Sequence, residues 1–286
     1  MKATALEILS EPLSLLILVS SIVLAVGAPA LHYHQFGDAT RMARDAGFSA
    51  IFTCGNIFAV FCTIRSFRRE IESGTMAMAL AHPISRTSYF ITKTAGAFLA
   101  YLVFSLILAL VTLIVVKGAQ IGGVMAESYG GVARLWGPSL AIGCGVLIIP
   151  LVLAALLNRF FRIRFVRFAF MSSLALAAVG VCYRFDHNLA LRFLPAFLAL
   201  LPLAAVFLSA AAAFSVRFAS NIASTLAIVT IALSSPFAGN YFLSDSLSRG
   251  GFVSWGYVGL AALAAVPMVA AFVALGALYV NSKEVS

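Results

Sequence analysis

Charged residues are scarce in this chain. Asp, Glu, Lys and Arg make up 10% of its 286 residues, whereas a soluble domain usually carries about 25%. Hydrophobic residues make up 62%, and the mean hydropathy is +1.04. A fold in water could not hide this much apolar surface, so the composition excludes an ordinary soluble protein and predicts an integral membrane protein.

The chain also lacks the motifs of a nucleotide-binding or catalytic site. A Walker A loop, G-x-x-x-x-G-K-[ST], needs a lysine that directly follows a glycine. No lysine here does so: Lys2, Lys93, Lys117 and Lys283. No Ser/His/Asp or paired-carboxylate arrangement stands out either, so we expect no catalytic residue in this chain and no ATPase activity of its own.

The cysteines show no CxxC or metal-type spacing. All of them lie within apolar runs: Cys54, Cys62, Cys144 and Cys182. We interpret them as small apolar packing residues, and redox chemistry is not indicated.

Eight apolar segments are about as long as a membrane-spanning helix, which needs about 20 residues. They are 13–31, 47–64, 94–116, 137–157, 168–183, 194–214, 219–237 and 256–280. We therefore predict an all-α polytopic membrane protein, a single domain over residues 1–286, with six to eight transmembrane helices and eight as the preferred number.

No Asp, Glu, Lys, Arg or His lies in these segments. Carriers driven by protons or ions usually place such residues within the membrane, so this absence argues against a secondary carrier. Asn56 is the most polar candidate in the second segment, and we expect it to form hydrogen bonds between helices.

Lysine and arginine set the orientation of a membrane protein. With the amino terminus inside, 12 of the 19 basic residues fall on the cytoplasmic side. Most of this bias comes from two clusters: Arg65, Arg68, Arg159, Arg162, Arg164 and Arg167. We expect both termini to be cytoplasmic, with residues 65–93 as the longest cytoplasmic segment. Orientation also explains the net charge of +9, and nucleic-acid binding is not expected.

Residues 1–12 precede the first apolar segment. A positive start and an apolar run can mimic a cleaved signal, but this run exceeds the usual length of a signal core. Leu6, Leu9 and Leu13 share one helical face. We predict an uncleaved first helix preceded by a short amphipathic segment that also contacts membrane lipid.

His32 and His34 are weak candidates for a copper or zinc site, together with Asp38 or Met42. Two histidines at i and i+2 are weak support for a metal ligand set. We expect an ordinary interfacial loop there and no bound metal.

The charged stretch after the second span has helical spacing. Ile64, Phe67 and Ile71 recur at three- and four-residue steps, and Arg68 and Glu72 lie one turn apart on the other side. This predicts an amphipathic helix that continues from the second span.

Small residues and a proline then punctuate the stretch. Gly74-Thr75 predicts a bend, because glycine weakens a helix interior. Pro83 disfavours helix at the residue before it, and Ser85 is placed to cap the helix of the third span. Composition alone leaves a second interpretation open, a solvated loop whose arginines only fix the topology.

The stretch resembles the signature of type-2 ABC transporter permeases. The matching elements are Arg69, Glu70, Glu72, Gly74, Thr75, Leu80, Pro83, Ile84, Ser85, Arg86 and Lys93. A weaker resemblance lies at 213–221, which looks like the family's tight turn between its fourth and fifth helices. Such permeases usually have six spans, so residues 137–183 would be an additional helical hairpin.

The resemblance implies a role for the cytoplasmic segment 65–93. In such permeases this segment docks on a separate nucleotide-binding subunit, which binds ATP and magnesium. Glu70 and Glu72 would then meet basic groups on the ATPase or pair with local arginines. Gly74 and Thr75 would permit the bend, while Pro83, Ser85 and Arg86 would direct the chain back into the bilayer.

The resemblance also implies an assembly: a second permease copy or a homologue, in the cytoplasmic membrane of a bacterium, that exports a substrate. An alternative is an assembly that transmits force to an external partner, for example in metalloenzyme maturation, without moving a solute.

Overall fold

Every regular element that the structure describes is an α-helix. The structure is a computed structural model, and it describes residues 1–31, 39–75, 85–129, 132–161, 164–183, 187–218, 222, 225 and 253–282. The helices are α1 (Lys2–Ile8), α2 (Pro12–Leu31), α3 (Ala39–Glu72), α4 (Arg86–Tyr129), α5 (Val132–Phe161), α6 (Phe165–Tyr183), α7 (His187–Arg217) and α8 (Trp255–Ser282). The predicted all-α polytopic architecture is confirmed.

Five helices in the described part of the chain are long and apolar enough to cross a membrane. They cover Ala43–Glu72, Arg86–Ala119, Phe165–Cys182, Arg192–Arg217 and Trp255–Val280, and two shorter apolar helices cover Pro12–Gly27 and Cys144–Phe160. Helices α2 to α8 coincide with seven of the eight predicted segments. The remaining segment, 219–237, lies outside the described residues, so a total of eight spans stays a prediction.

The helices extend beyond the apolar segments that predicted them. Helix α4 has 44 residues, roughly 66 Å at 1.5 Å per residue, whereas the hydrocarbon core is about 30 Å thick. It continues to Tyr129, and α5 begins at Val132, so most of the outer loop expected between 117 and 136 is helical. Hydropathy marks only the part of a helix that lipid surrounds, while the backbone hydrogen bonds continue past it.

The chain forms two compact units. Unit 1 consists of Met1–Ile8, Asn56–Leu102 and Leu194–Ser286, and unit 2 consists of Leu9–Gly55 and Val103–Phe193.

Two apolar clusters form the core of unit 1. One contains Val60, Ile64, Phe207 and Ala211, and thus joins α3 to α7. The other joins α3, α4, α7 and α8, and its buried members are Phe67, Phe90, Ala212, Val216 and Val280.

Within unit 2, α5 and α6 pack against each other and α2 packs against both. The packing of α5 on α6 is that of a helical hairpin over the predicted segment 137–183. Its description as an addition to the family's usual helices stays a prediction.

The amino-terminal segment forms a short helix, α1, followed by α2 from Pro12. Of the three leucines expected on one face, only Leu9 is buried, while Leu6 and Leu13 are half-buried. Ala5 and Ile8 are buried instead. The chain between α1 and α2 is not continuous helix, so the helical spacing that groups the three leucines does not extend across it.

We predict that Gly47 in unit 2 tolerates no side chain. A Cβ atom there would lie 2.0 Å from Cγ2 of Thr112. We expect Gly47→Ala to lower the free energy of unfolding by about 1–3 kcal/mol, because an extra methyl in a packed contact forces its neighbours apart. Thermal unfolding of the purified protein in detergent measures the change.

Gly27→Ala is the matched control. A Cβ atom at Gly27, on α2 of the same unit, would have no heavy atom within 4 Å. Alanine is the better helix former, so this variant should be as stable as the unmodified chain or slightly more stable. Equal stability of the two variants would contradict the close contact between Gly47 and Thr112.

Candidate functional site

Helix α3 runs without interruption from its apolar part into the charged stretch and ends at Glu72. Ile64 and Phe67 are buried, Ile71 is half-buried, and Arg65 and Glu72 are exposed. The predicted amphipathic continuation of the second span is therefore present in the structure.

A left-handed glycine follows the end of α3. Gly74 has φ +71°, a conformation that glycine adopts without the steric penalty of a Cβ atom. The Gly74 amide donates to the carbonyl of Ile71 at 3.3 Å, and the Ser73 amide donates to that of Arg69 at 3.0 Å. These bonds satisfy carbonyls left open at a helix end, so Gly74 terminates α3 and changes the chain direction at the predicted bend.

Ser85 caps the start of α4. Its hydroxyl oxygen accepts a hydrogen bond from the Ser88 amide at 3.2 Å, which is the geometry of an N-cap residue. The predicted cap is therefore present. Pro83, which we expect to end the preceding segment, lies with residues 76–84 outside the described part of the chain.

The centre of the site is a buried lysine. Lys93 is 3% exposed, and its Nζ atom lies 2.5 Å from Oε2 of Glu70. The same ammonium donates to the carbonyl oxygen of Ser66 at 3.1 Å and lies 4.9 Å from the ring centroid of Phe67. The hydroxyl of Tyr89 donates to the same carboxylate oxygen. We call these five residues the α3–α4 joint.

Helical spacing produces this joint. Tyr89 and Lys93 are four residues apart on α4, and Ser66 and Glu70 are four apart on α3, so each pair lies on one helix face. A buried ammonium is costly unless it is paired and hydrogen-bonded. Lys93 has a carboxylate, a carbonyl and an aromatic face around it, and this set of partners fixes α4 against α3.

Other charges of the stretch point outward. The Glu72 side chain is 65% exposed and lies 3.2 Å from Arg68, one turn earlier. The Arg69 side chain is also 65% exposed and lies 4.0 Å from Glu7 of α1. We call the exposed residues at this helix end the α3 tip: Arg69, Glu72, Ser73, Gly74 and Thr75.

The structure thus separates the two glutamates of the motif. Glu72 pairs with a local arginine, which is one of the two alternatives that the sequence left open. Glu70 pairs with Lys93 and Tyr89 instead. In the sequence, Lys93 stands out only as a part of the motif and Tyr89 does not stand out, although Tyr89 lies four residues before Lys93.

Helix α1 packs directly beside the joint. A Cβ atom at Gly96 of α4 would lie 2.8 Å from the carbonyl oxygen of Met1 and 2.8 Å from Cβ of Thr4. Only glycine allows this close approach of the two helices. Together with the pair between Arg69 and Glu7, it holds α1 against both α3 and α4.

The arginines that we expect to set the topology have different surroundings. Arg65, Arg159 and Arg164 are exposed. Arg167 donates to the hydroxyl oxygen of Ser10 from Nε at 3.2 Å and from Nη2 at 3.1 Å, so it also holds the chain between α1 and α2. Arg162 lies outside the described residues.

The weak metal candidates His32 and His34 also lie outside the described residues. In the ranges that the structure describes, no group of three or more His, Cys, Asp or Glu side chains could hold a metal ion. Asn56 is buried on α3.

Comparison with known families supports the resemblance seen in the sequence. Residues 20–159 match the family model described as ABC-2 family transporter protein. The matched range contains α3, the α3 tip, the joint and α4. Comparisons with curated proteins and with solved structures gave no significant match.

We predict that the joint stabilises the fold much more than the exposed pair on the same helix. Glu70→Gln leaves the buried Lys93 ammonium without its carboxylate, and breaking a buried pair in this way costs about 3–5 kcal/mol. Glu72→Gln removes a solvated i,i+4 pair worth about 0.3–0.5 kcal/mol. Thermal unfolding in detergent should rank the two variants in this order.

The double variant Glu70→Gln/Lys93→Met tests whether the cost comes from the unpaired charge. Because it removes both charges, we expect it to recover much of the stability that Glu70→Gln loses. Equal effects of Glu70→Gln and Glu72→Gln would contradict the burial of the joint.

Proposed function

Since the match over residues 20–159 supports an ABC-2 type permease, we propose that this chain is the membrane subunit through which a separate ATPase subunit drives export. The match fits a permease component of an ABC transporter, and in this proposal the ATPase is a separate subunit. In the proposed mechanism the α3 tip docks on the ATPase subunit, and the joint passes the movement of that subunit to α4.

The observation that carries the proposal is the division of the charged stretch into two parts. The exposed side chains of Arg69 and Glu72 offer charges of both signs to a partner. Glu70, on the same helix turn, is held by the buried Lys93. A force on the tip therefore acts on a helix end that is tied to the base of the next helix. A loop that only fixed the topology would not need this tie.

Electrostatics would govern the docking step. Charged pairs at the rim of an interface steer association and fix orientation, and they contribute less to raw affinity. The pair between Arg68 and Glu72 is solvated, so separating it for a partner costs little. Glu72 is thus better suited than Glu70 to contact basic groups on an ATPase subunit, because Glu70 would have to leave the Lys93 ammonium.

The rest of the proposed assembly follows from the transporter type. ATP and Mg²⁺ bind to the ATPase subunit, a second permease copy or a homologue completes the membrane part, and the complex lies in the cytoplasmic membrane of a bacterium. Both termini and the α3 tip face the cytoplasm in this proposal. The bias of lysine and arginine toward that side supports the orientation.

We predict that reversing the charge of Glu72 weakens the binding of the ATPase subunit. Placing a like charge against basic groups of the partner should raise the dissociation constant about tenfold, which corresponds to about 1.4 kcal/mol. The effect should shrink as salt rises, because exposed charges are screened. Titration of the ATPase subunit against the permease in lipid nanodiscs measures the constant.

Asp45→Lys is the matched control for Glu72→Lys. Asp45 lies in the first turns of α3, on the segment predicted to be external, and its carboxylate is 3.6 Å from Arg44. The control changes the net charge by the same amount and should leave the affinity for the ATPase subunit unchanged. Equal effects of the two variants, or no effect of Glu72→Lys, would contradict docking at the α3 tip.

Reconstituted vesicles distinguish export from the transmission of force to an external protein. For an exporter, we expect a transported compound to stimulate ATP hydrolysis and to accumulate on the far side of the membrane. Stimulation by an external protein alone, without accumulation, would instead support the force transmitter.

A further inference from the structure

The base of α4 contacts a third element besides α3, the end of the last helix, α8. Phe90 lies between Tyr89 and Lys93 in sequence, and its ring is fully buried. That ring packs 5.5 Å from the ring of Phe67 on α3. The outer edge of the ring, at Cζ, contacts α8 at Gly276.

Gly276 makes room for this ring. A Cβ atom at Gly276 would lie 2.2 Å from Cζ of Phe90, and two further ring atoms would lie within 2.9 Å. The absence of a side chain is therefore required for the contact as it stands. Because the contact is closely packed, a movement of the first turn of α4 toward α8 would press the Phe90 ring against the backbone of α8 at Gly276.

A polar contact joins the same two helices one turn away. Nη1 of Arg86, the first residue of α4, donates to the carbonyl oxygen of Val280 at 3.4 Å. Val280 is itself buried, in the cluster that contains Phe67 and Phe90. Two successive turns of α4 thus hold two successive turns of α8.

Burial along α8 is concentrated at this end. In the part of the chain that the structure describes, Gly276, Ala277 and Val280 are buried, whereas the apolar side chains of Leu260, Leu263 and Val266 are exposed. The contact with α4 is therefore a main attachment of α8 within unit 1.

We propose that the Phe90–Gly276 contact is a positioning contact that carries the movement of the α3–α4 joint to the last membrane helix. This inference rests on the proposed function, since the ATPase subunit supplies the movement. The movement passes from the α3 tip through the pair between Glu70 and Lys93 to the first turns of α4, and from there to the end of α8. Residues 86–93 span about two turns of one helix and move as a rigid element.

The experiment uses two reporter positions in the complex with the ATPase subunit, reconstituted in lipid nanodiscs. Spin labels are attached at Ser73→Cys on the α3 tip and, separately, at Leu278→Cys, which is exposed near the end of α8. The exposed cysteines Cys144 and Cys182 are replaced by alanine. Spectra are compared without nucleotide and with a non-hydrolysable ATP analogue.

In the labelled protein that keeps Phe90 and Gly276, we expect the analogue to change the spectra at both reporters. Phe90→Leu, which loosens the contact, and Gly276→Ala, which displaces the ring, should each abolish the change at Leu278 and preserve the change at Ser73. The double variant Phe90→Leu/Gly276→Ala exchanges ring volume for a methyl group and should restore the response at Leu278. A merely structural effect on folding would silence both reporters.

Gly259→Ala is the control on the same helix. No heavy atom lies within 4 Å of a Cβ atom placed there. Both reporters should therefore respond as they do in the labelled protein without this substitution. Loss of the Leu278 response in this variant would contradict a route through Gly276.

The remaining outcomes separate the two proposals. In the labelled protein that keeps Phe90 and Gly276, a spectral change at Ser73 with none at Leu278 overturns the inference and leaves the proposed function standing. Unchanged responses at Leu278 in Phe90→Leu also overturn it, even if Gly276→Ala does not fold. No response at either reporter, or no complex with the ATPase subunit, overturns the proposed function and the inference together.

Discussion

The arrangement of α3 and α4 depends on the pairing of the buried Lys93 ammonium with Glu70. A charge removed from water must be paired, and Glu70 supplies the opposite charge across the two helices. Tyr89 binds the same carboxylate, and the carbonyl of Ser66 accepts from the ammonium. Separating α3 from α4 would leave the buried Lys93 ammonium without its carboxylate and carbonyl partners. The end of α3 and the start of α4 are therefore mechanically one element.

The end of α3 then determines what is left for a partner. Gly74 stops the helix just past Glu72 with a left-handed conformation, so the last charged side chains face solvent instead of continuing along a longer helix. One motif thus provides both an internal tie through Glu70 and an exposed surface at the α3 tip. Helix α1 also packs beside the α3–α4 joint, since Gly96 allows α1 to approach α4 closely. A surface with a rigid support can transmit a displacement that a loose loop would absorb.

Local signals in the sequence predicted much of this site, and tertiary contacts account for what they missed. The helical spacing of Ile64 and Phe67 indicated the amphipathic continuation of α3. Gly74 indicated the end of α3, and Ser85 indicated the start of α4. Each of these depends on a few neighbouring residues. The partner of Glu70 lies on another helix. That Glu70 pairs with Lys93, and not with a neighbouring arginine, therefore depends on how α3 and α4 pack. The length of α4 was also missed, because hydropathy reports the surroundings of a helix and not its ends.

Site-specific photocrosslinking tests the central claim most directly, that the α3 tip is where the ATPase subunit binds. A photoreactive amino acid is placed at the exposed position Thr75 and, as the comparison, at the exposed position Leu263 of α8, in the complete complex in native membranes. The account predicts a crosslink from Thr75 to the ATPase subunit and none from Leu263. A crosslink from Leu263 with none from Thr75 would contradict it.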